Sequence, residues 1–209
     1  MIRVITISRE YGSGGGTVAR MLAERLGWKL VDQSLITEIA KTAKVNPDVA
    51  KRLDESVDPW FHQLNKALWR GGYEGVATRV DSDMFDAEAM AALCRRVLEE
   101  AATIGHCVTV GRGGQCTLQK REDAFHVAIY APMAERVQRI RDRIPAGTDP
   151  VAYARETDRR RTVYIEHYFG QDVTNRHLYD LMISSRIGLD AVATTILCAA
   201  GLLESGPRA

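Results

Sequence analysis

The segment ISREYGSGGGTVARMLAERLG, Ile7 to Gly27, joins a β-branched run to a segment with helical periodicity. Four of the five residues from Gly12 to Gly16 are glycines. A glycine-rich turn between a strand and a helix directs several backbone N–H groups at one point, where the helix dipole adds positive potential. Glycine permits left-handed backbone angles and a close approach to an anion. The segment therefore predicts a phosphate-binding loop, and a turn that only packs the helix on the strand is the alternative.

The composition is that of an ordinary globular protein. The chain has 209 residues, of which 45% are apolar and 26% are charged, and this length fits a single domain, 1–209. The formal net charge of +1 predicts no general attraction to nucleic acid or to an anionic membrane. The chain contains no apolar stretch long enough to cross a bilayer and does not begin with a signal-like segment. We therefore expect a cytoplasmic protein with neither nucleic acid nor a membrane as partner.

The cysteines are scattered and form no CxxC pair. They also lack a histidine at a ligand spacing, which argues against a metal site, and their pattern is not that of a disulfide framework. We therefore expect four buried thiols, at Cys94, Cys107, Cys116 and Cys198.

Apolar and β-branched runs alternate along the chain with segments of helical period. Five of these runs predict buried strands: Arg3–Ser8, Trp28–Asp32, His106–Gly111, Phe125–Ala131 and Tyr179–Ser185. Helical patterns follow the first and the last run. Strands that alternate with helices favour parallel pairing through right-handed crossovers. The pattern predicts an α/β fold with helices on both faces of the sheet.

Two segments interrupt this alternation. The first, about 45–100, is mostly helical in character and contains no strand run, which predicts a helical lobe over the sheet. The second, about 144–168, contains Asp149 as a helix cap, with Pro150 at the first helical position. It also carries a run of arginines. Such a run is more often a solvated helix face, so only its position before the last strand indicates a function.

The loop departs from the phosphate-binding signature G-x-x-x-x-G-K-[ST]. Aligned on the strand and the helix, Arg9 stands at the first glycine, Gly14 at the second and Gly15 at the lysine. The lysine that reaches the outer phosphates is therefore missing. Arg9 could supply the positive charge from another direction, or it could be a structural arginine paired with Glu10 or another acid. The dinucleotide-binding pattern G-x-G-x-x-G does not fit, because that architecture has no place for the helical lobe or the arginine segment.

Several ordered motifs together resemble the cytidylate kinase-like family of P-loop nucleoside monophosphate kinases. They are SREYGSGGGTVARMLAERLG, LVDQSLI, VTVGRGG, FHVAIYAPMAERVQRI, ETDRRRTVYIEHYFG and YDLMISSRIGLD. The resemblance runs through most of the chain and is weakest from Val57 to Asp86. It implies a three-layer P-loop NTPase sandwich with a five-stranded parallel sheet in the order 2-3-1-4-5. It also implies a helical insert that binds the acceptor and an arginine-bearing lid that closes over ATP.

The resemblance also implies roles for the loop and for the end of the second strand. Backbone amides of the loop would hold the donor's phosphates, and Thr17 would hold magnesium, although an ordinary residue of the first helical turn is the alternative for Thr17. Asp32 would begin the acceptor site, although an ordinary helix cap is the alternative. The donor-binding residues implied in this way are Gly12, Ser13, Gly14, Gly15, Gly16 and Thr17.

Two arginine motifs complete the implied site. Arg112 lies in a GRGG turn that resembles the GRD turn of cytidylate kinases, and its guanidinium fork would contact the acceptor nucleotide. A surface arginine that only happens to follow a strand is the alternative. The acid of that turn is absent. Asp158, Arg159 and Arg161 match the lid pattern, with Arg155 one helical turn earlier. Together with Arg9, these lid arginines would offset the charge of the transferred phosphoryl group.

We therefore expect phosphoryl transfer from ATP, with Mg²⁺, to a nucleoside monophosphate, CMP or dCMP. The acceptor oxygen would attack in line, without a covalent enzyme intermediate. The alternative is a sensor of a nucleotide or other small phosphorylated ligand that kept the fold and lost catalysis. The missing lysine and the missing acid favour the sensor, whereas the glycine loop, the GRGG turn and the arginine lid favour the enzyme.

Overall fold

The computed structural model describes residues 1–36 and 87–203, together with Trp60, Gln63, Leu64 and Leu68. Within these residues, five parallel strands form one sheet in the order β2-β3-β1-β4-β5, which confirms the predicted sheet and its order. The strands are β1 Val4–Arg9, β2 Lys29–Val31, β3 Cys107–Val110, β4 Ala124–Tyr130 and β5 Leu181–Ser184.

The central strand β1 brings two glycine-rich turns together. It pairs on one side with β3, where Ile7 lies opposite Val110, and on the other side with β4, where Arg9 lies opposite Ile129. The carboxyl ends of parallel strands meet at the same edge of a sheet. The glycine loop after β1 and the GRGG turn after β3 are therefore neighbours.

Helices connect the strands and begin or end at residues suited to those positions. Asp149 caps the helix Pro150–Phe169 by accepting a hydrogen bond from Val151 N at 3.0 Å, and Gly27, with a φ of +64°, ends the helix Gly15–Leu26. The labelled helices are α1 Gly15–Leu26, α2 Ala87–Ile104, α3 Gly114–Thr117, α4 Met133–Ile140, α5 Pro150–Phe169 and α6 Leu189–Ala199.

The core lies in two layers, one on each face of the sheet. Ile5 and Ile7 of β1 belong to the layer that contains the buried residues of α1 and α6. Val4 of the same strand belongs to the layer that contains those of α2. Because alternate residues of a strand point to opposite faces, the sheet is buried on both sides. This is the predicted α/β sandwich of three layers.

The helical insert at about 45–100 is described only in part. It includes α2, beside which Leu64 and Leu68 are buried in the core, while Trp60 donates a hydrogen bond to Gly105 O at 3.1 Å. The rest of the predicted insert lies outside the described residues. The predicted lid at about 144–168 corresponds mainly to α5.

The cysteines differ from their prediction in one clear case. Cys94 and Cys107 are buried and Cys116 is half-buried, but Cys198 is exposed. The prediction was wrong for Cys198 because α6 packs on the sheet through another face, which carries Ile196 and Leu197. None of the described helices is both long enough and apolar enough to span a membrane.

Candidate functional site

The glycine-rich segment turns the chain from β1 into α1 at the carboxyl edge of the sheet. Gly12 and Gly14 have φ angles of +81° and +84°, which glycine adopts at little cost. Ser13 is fully buried, and its hydroxyl donates to Glu10 O at 2.9 Å. Gly14 precedes α1 without a side-chain cap. The first turn of the helix therefore offers uncapped N–H groups and the positive end of its dipole.

A cleft of about 460 Å³ opens in front of this loop, a volume within the range of small-molecule sites. Loop residues, Asp32 and Val110 contribute to its walls. The acids Glu10 and Asp32 also line the cleft, but arginines outnumber them and give it a positive charge. These arginines are Arg9, Arg20, Arg139, Arg143 and Arg161.

Arg9 extends from the end of β1 and passes between Gly15 of α1 and Gly111 of the GRGG turn. Burial, reinforced by the neighbouring Arg161 and Arg112 cations, lowers the pKa of Arg9 to about 9, so it is still charged at neutral pH. Among the described residues, no carboxylate forms an ion pair with Arg9. Glu10, which the sequence offers as a partner, pairs with a different arginine.

The GRGG turn holds Arg112 in an unusual backbone conformation. Gly111, Arg112 and Gly113 have φ angles of +71°, +56° and +73°. A left-handed conformation is uncommon for a residue other than glycine and carries strain. Arg112 lies close enough to Arg9 for its charge to lower the pKa of Arg9. Within the described part of the chain, Arg112 also has no carboxylate partner.

A network of charges supports the loop from α4 and α5. Arg136 is only 5% exposed; it donates to Tyr11 O at 2.7 Å and pairs with both Glu10 and Asp158. Asp158 also accepts a hydrogen bond from Tyr11 N at 2.7 Å. Asp158, which the lid pattern groups with the arginines, is therefore a positioning residue for the loop.

Sequence reasoning missed Arg136 and a second supporting residue, Arg139. The Nη1 atom of Arg139 donates to Ser185 Oγ at 2.9 Å and lies 3.3 Å from Ser13 O. It thereby ties the loop to the turn after β5. For Arg136 the available signal is its spacing of four from the apolar Ile140, which places both residues on the buried face of α4.

The structure separates the lid arginines. Arg161 lines the cleft, donates to Arg9 O at 3.0 Å and lies 5.6 Å from the centre of the Tyr11 ring. Burial lowers the pKa of Arg161. Arg159 instead pairs with Glu156 at 2.7 Å on the exposed side of α5, where Arg155 is also exposed. Of these three predicted lid arginines, Arg161 alone lies in the cleft.

Asp32 is a helix cap, the alternative that the sequence offered to a place in the acceptor site. Its Oδ1 atom accepts hydrogen bonds from Ser34 N at 2.9 Å and Leu35 N at 3.1 Å, which caps the helical residues 33–36. Asp32 also lines the cleft, as does Thr17 in the exposed first turn of α1. These two side chains offer the oxygen ligands that Mg²⁺ prefers when substrate phosphates complete its coordination. The described residues contain no cluster of three His, Cys, Asp or Glu suited to a metal ion.

Comparison with solved structures supports the fold. An uncharacterized protein from Eubacterium ventriosum superimposes with a TM-score of 0.64 at 21% identity, over 96% of this chain and 99% of that chain. A shikimate kinase from Bacteroides thetaiotaomicron gives a TM-score of 0.52 at 11% identity, over 97% of this chain and 100% of that chain. At these identities the likeness shows the fold alone.

Comparison with curated proteins and with family models shows to which family the chain belongs. A cytidylate kinase from Shewanella sediminis is 27% identical over 100 residues, which are 47% of this chain and 44% of that protein. One from Pseudomonas fluorescens is 33% identical over 102 residues, with shares of 43% and 44%. The chain thus spans less than half the length of these relatives. The model of the cytidylate kinase-like family matches residues 4–187, and the chain belongs to that family.

Proposed function

We propose that this protein transfers a phosphoryl group from ATP to a nucleoside monophosphate, with CMP or dCMP as the expected acceptor. The observation that carries the proposal is the grouping of anion-binding elements at one edge of the sheet. The uncapped start of α1, Arg9 and Arg112 lie together there, and neither arginine has a carboxylate partner among the described residues.

The closeness of several arginine cations to one another supports this proposal. Like charges close to one another oppose ionisation, and the Arg112 and Arg161 cations have this effect on Arg9. A phosphate between these cations would replace the repulsion by charge-assisted hydrogen bonds. Two ligands carrying several phosphates between them, a nucleoside triphosphate and a nucleoside monophosphate, fit such a cleft better than a neutral acceptor does.

We propose separate roles for the residues in and beside the cleft. The amides from Gly12 to Thr17 hold the donor's phosphates, apart from Ser13 N, which donates to Glu10 O at 3.3 Å. Arg112 and Asp32 bind the acceptor. Arg9 and Arg161 lie between them and stabilise the charge that develops on the transferred group. The acceptor's phosphate oxygen attacks in line, and positioning supplies most of the rate. Magnesium, held by the Thr17 hydroxyl and the donor's phosphates, would neutralise further charge.

The remaining predicted lid residues, Arg155 and Arg159, lie on the exposed side of α5. They would act on ATP only in a lid position that turns this side toward the cleft. We further propose that the enzyme is cytoplasmic. Its net charge of +1 favours free small ligands over nucleic acid or a membrane as its partners.

A sensor of a nucleotide or phosphorylated ligand is the second candidate. The observation that favours it is the loss of two groups, the lysine replaced by Gly15 and the acid replaced by Gly113. A sensor would use the same loop and arginines to bind, without turnover.

An assay of ATP turnover against a panel of nucleoside monophosphates and small phospho-acceptors tests the proposal. We expect turnover with CMP or dCMP and little with the others. The exposed Arg160, which pairs with Glu156 at 2.9 Å, provides a matched arginine control, since Arg160→Ala should turn over like the wild type. Binding of an ATP analogue without any turnover would establish the sensor instead, and no binding of any phosphorylated ligand would refute both candidates.

A further inference from the structure

We infer that Arg9 replaces the missing loop lysine: its guanidinium binds the donor's outer phosphates from the strand side, and it occupies the space in which a side chain at position 15 would begin. This inference rests on the proposed kinase function and names the residue that supplies the charge.

The first step is the contact at Gly15. A Cβ atom added to Gly15 would lie 2.6 Å from Arg9 Cβ and 3.1 Å from Arg9 Cγ. The first of these distances is shorter than van der Waals contact allows. Arg9 Cβ cannot move aside easily, because Arg9 lies opposite Ile129 in the central strand of the sheet. The φ angle of Gly15 lies outside the left-handed region, so the neighbouring side chain, not the backbone, requires glycine there.

The second step is the contact at Gly111, in a motif far along the chain. A Cβ atom there would lie 1.7 Å from Arg9 Nη1, so the guanidinium rests directly on the backbone of the GRGG turn. That backbone is fixed by a hydrogen bond from Gly111 N to Ile7 O at 3.0 Å. Two glycines, one at the start of α1 and one after β3, thus leave room for the same side chain.

The third step concerns the partners of the nearby acids Glu10 and Asp158. Glu10 pairs with Arg136 and accepts from Ala131 N at 3.0 Å. Asp158 pairs with Arg136 and accepts from Tyr11 N. Asp158 and the cleft residue Asp32 act on Arg9 through their charges, but among the described residues neither forms an ion pair with it, and Arg9 lies in the cleft beside the loop. A guanidinium there offers a phosphate two parallel N–H donors.

Exchange of the two positions tests the inference. The double variant Arg9→Gly/Gly15→Lys turns residues 9–17 into GEYGSGKGT, which contains the G-x-x-x-x-G-K signature. Binding of a non-hydrolysable ATP analogue, measured by calorimetry, needs no acceptor. We expect Arg9→Gly to weaken binding about tenfold to a hundredfold. Gly15→Lys alone should also weaken it, because the lysine and Arg9 cannot both fit. The double variant should recover most of the affinity.

Further variants separate charge from packing. Arg9→Met keeps a long stem between the two glycines without the charge, and it should remain folded by thermal unfolding yet bind as weakly as Arg9→Gly. Gly16→Lys adds the same charge one residue along, where an added Cβ meets nothing within 4 Å, and it should weaken binding less than Gly15→Lys. Arg160→Ala, on the exposed side of α5, should bind like the wild type.

Three results would overturn the inference alone: wild-type affinity in Gly15→Lys, wild-type affinity in Arg9→Met, or a double variant as weak as Arg9→Gly. A wild-type protein that bound no ATP analogue would instead overturn the proposed function, and this inference with it. The two failures are therefore distinguishable.

Discussion

The arginines in front of the phosphate loop differ from those that support it in their partners. Arg136 and Arg139, on α4, have their hydrogen-bonding groups and charges satisfied by the protein, through Tyr11 O, Ser185 and nearby carboxylates. Arg9 and Arg112 lie in or beside the cleft without a carboxylate partner among the described residues. An arginine satisfied by its own protein stabilises the fold, whereas an unsatisfied one is available to a ligand.

Arg161 joins the two groups, and Arg139 of the supporting group also lines the cleft. Arg161 donates to Arg9 O at 3.0 Å and contacts Asp158 at 3.4 Å, yet it also lines the cleft. The supporting network and Arg9 are therefore connected through α5, and we expect a change in one of them to alter the other through this helix.

The largest effect, a loss of ligand binding, is expected for a substitution at Gly14 in the glycine-rich loop. Gly14→Val places a β-branched residue at a φ of +84° and brings its Cβ to 2.5 Å from Leu189 Cδ2. The distorted loop should no longer bind an ATP analogue by calorimetry. The strain costs about 1 to 2 kcal/mol, so we expect a folded protein of lower stability.

Gly147→Val is the matched control for this variant. Gly147 has a φ of +81°, and a Cβ there meets nothing within 4 Å, so it carries the same kind of strain away from the loop. It should lose stability through the same backbone strain, without the contact to Leu189, and retain the ligand. Unchanged binding by a folded Gly14→Val protein would refute the phosphate-binding loop.

Removal of the main supporting arginine should affect stability most. Arg136→Met leaves Asp158 and Tyr11 O without their buried partner, which should lower the free energy of unfolding by about 3 kcal/mol. Urea titration measures the change, and Asp158→Asn in the same protein should recover part of it, because the unpaired charge is removed. A loss no larger than that of Arg160→Ala would show that the network does not support the loop.

The next effect concerns Arg112, in the GRGG turn. Arg112→Ala should weaken CMP binding by roughly tenfold to a hundredfold, the equivalent of about 1.5 to 3 kcal/mol for a charge-assisted contact. Affinity for a non-hydrolysable ATP analogue should barely change. Alanine keeps a Cβ at the same φ of +56°, so the comparison isolates the guanidinium. Equal losses for both ligands would mean that Arg112 bridges them or supports the fold.

Much of the architecture was predictable because its signals are local. Alternating strand and helix patterns, the glycine loop and the caps at Gly27 and Asp149 depend on neighbouring residues, and parallel strands then place their turns at one edge. The partners of each arginine were not predictable in this way. Gly15 and Gly111 resemble ordinary turn glycines in sequence. The φ of +71° already favours glycine at position 111, whereas at position 15 the packing of Arg9 gives the steric reason.

The smallest effect is expected on the exposed side of the lid, where sequence and structure suggest different roles. The lid pattern assigns Arg159 to catalysis, but the residue pairs with Glu156, and this contact, with Arg160, lowers the pKa of Glu156 to about 2. Exposed pairs of this kind contribute little to stability, and Arg159 lies on the exposed side of α5, outside the cleft. We therefore expect Arg159→Ala to change the turnover rate by less than about twofold. Arg161→Ala, two residues along the same helix, should lower the rate far more, because it removes a cation of the cleft. Equal losses in the two variants would mean that α5 moves during turnover and brings its outer face to ATP, and the division between satisfied and available arginines would then hold only for the lid position seen here.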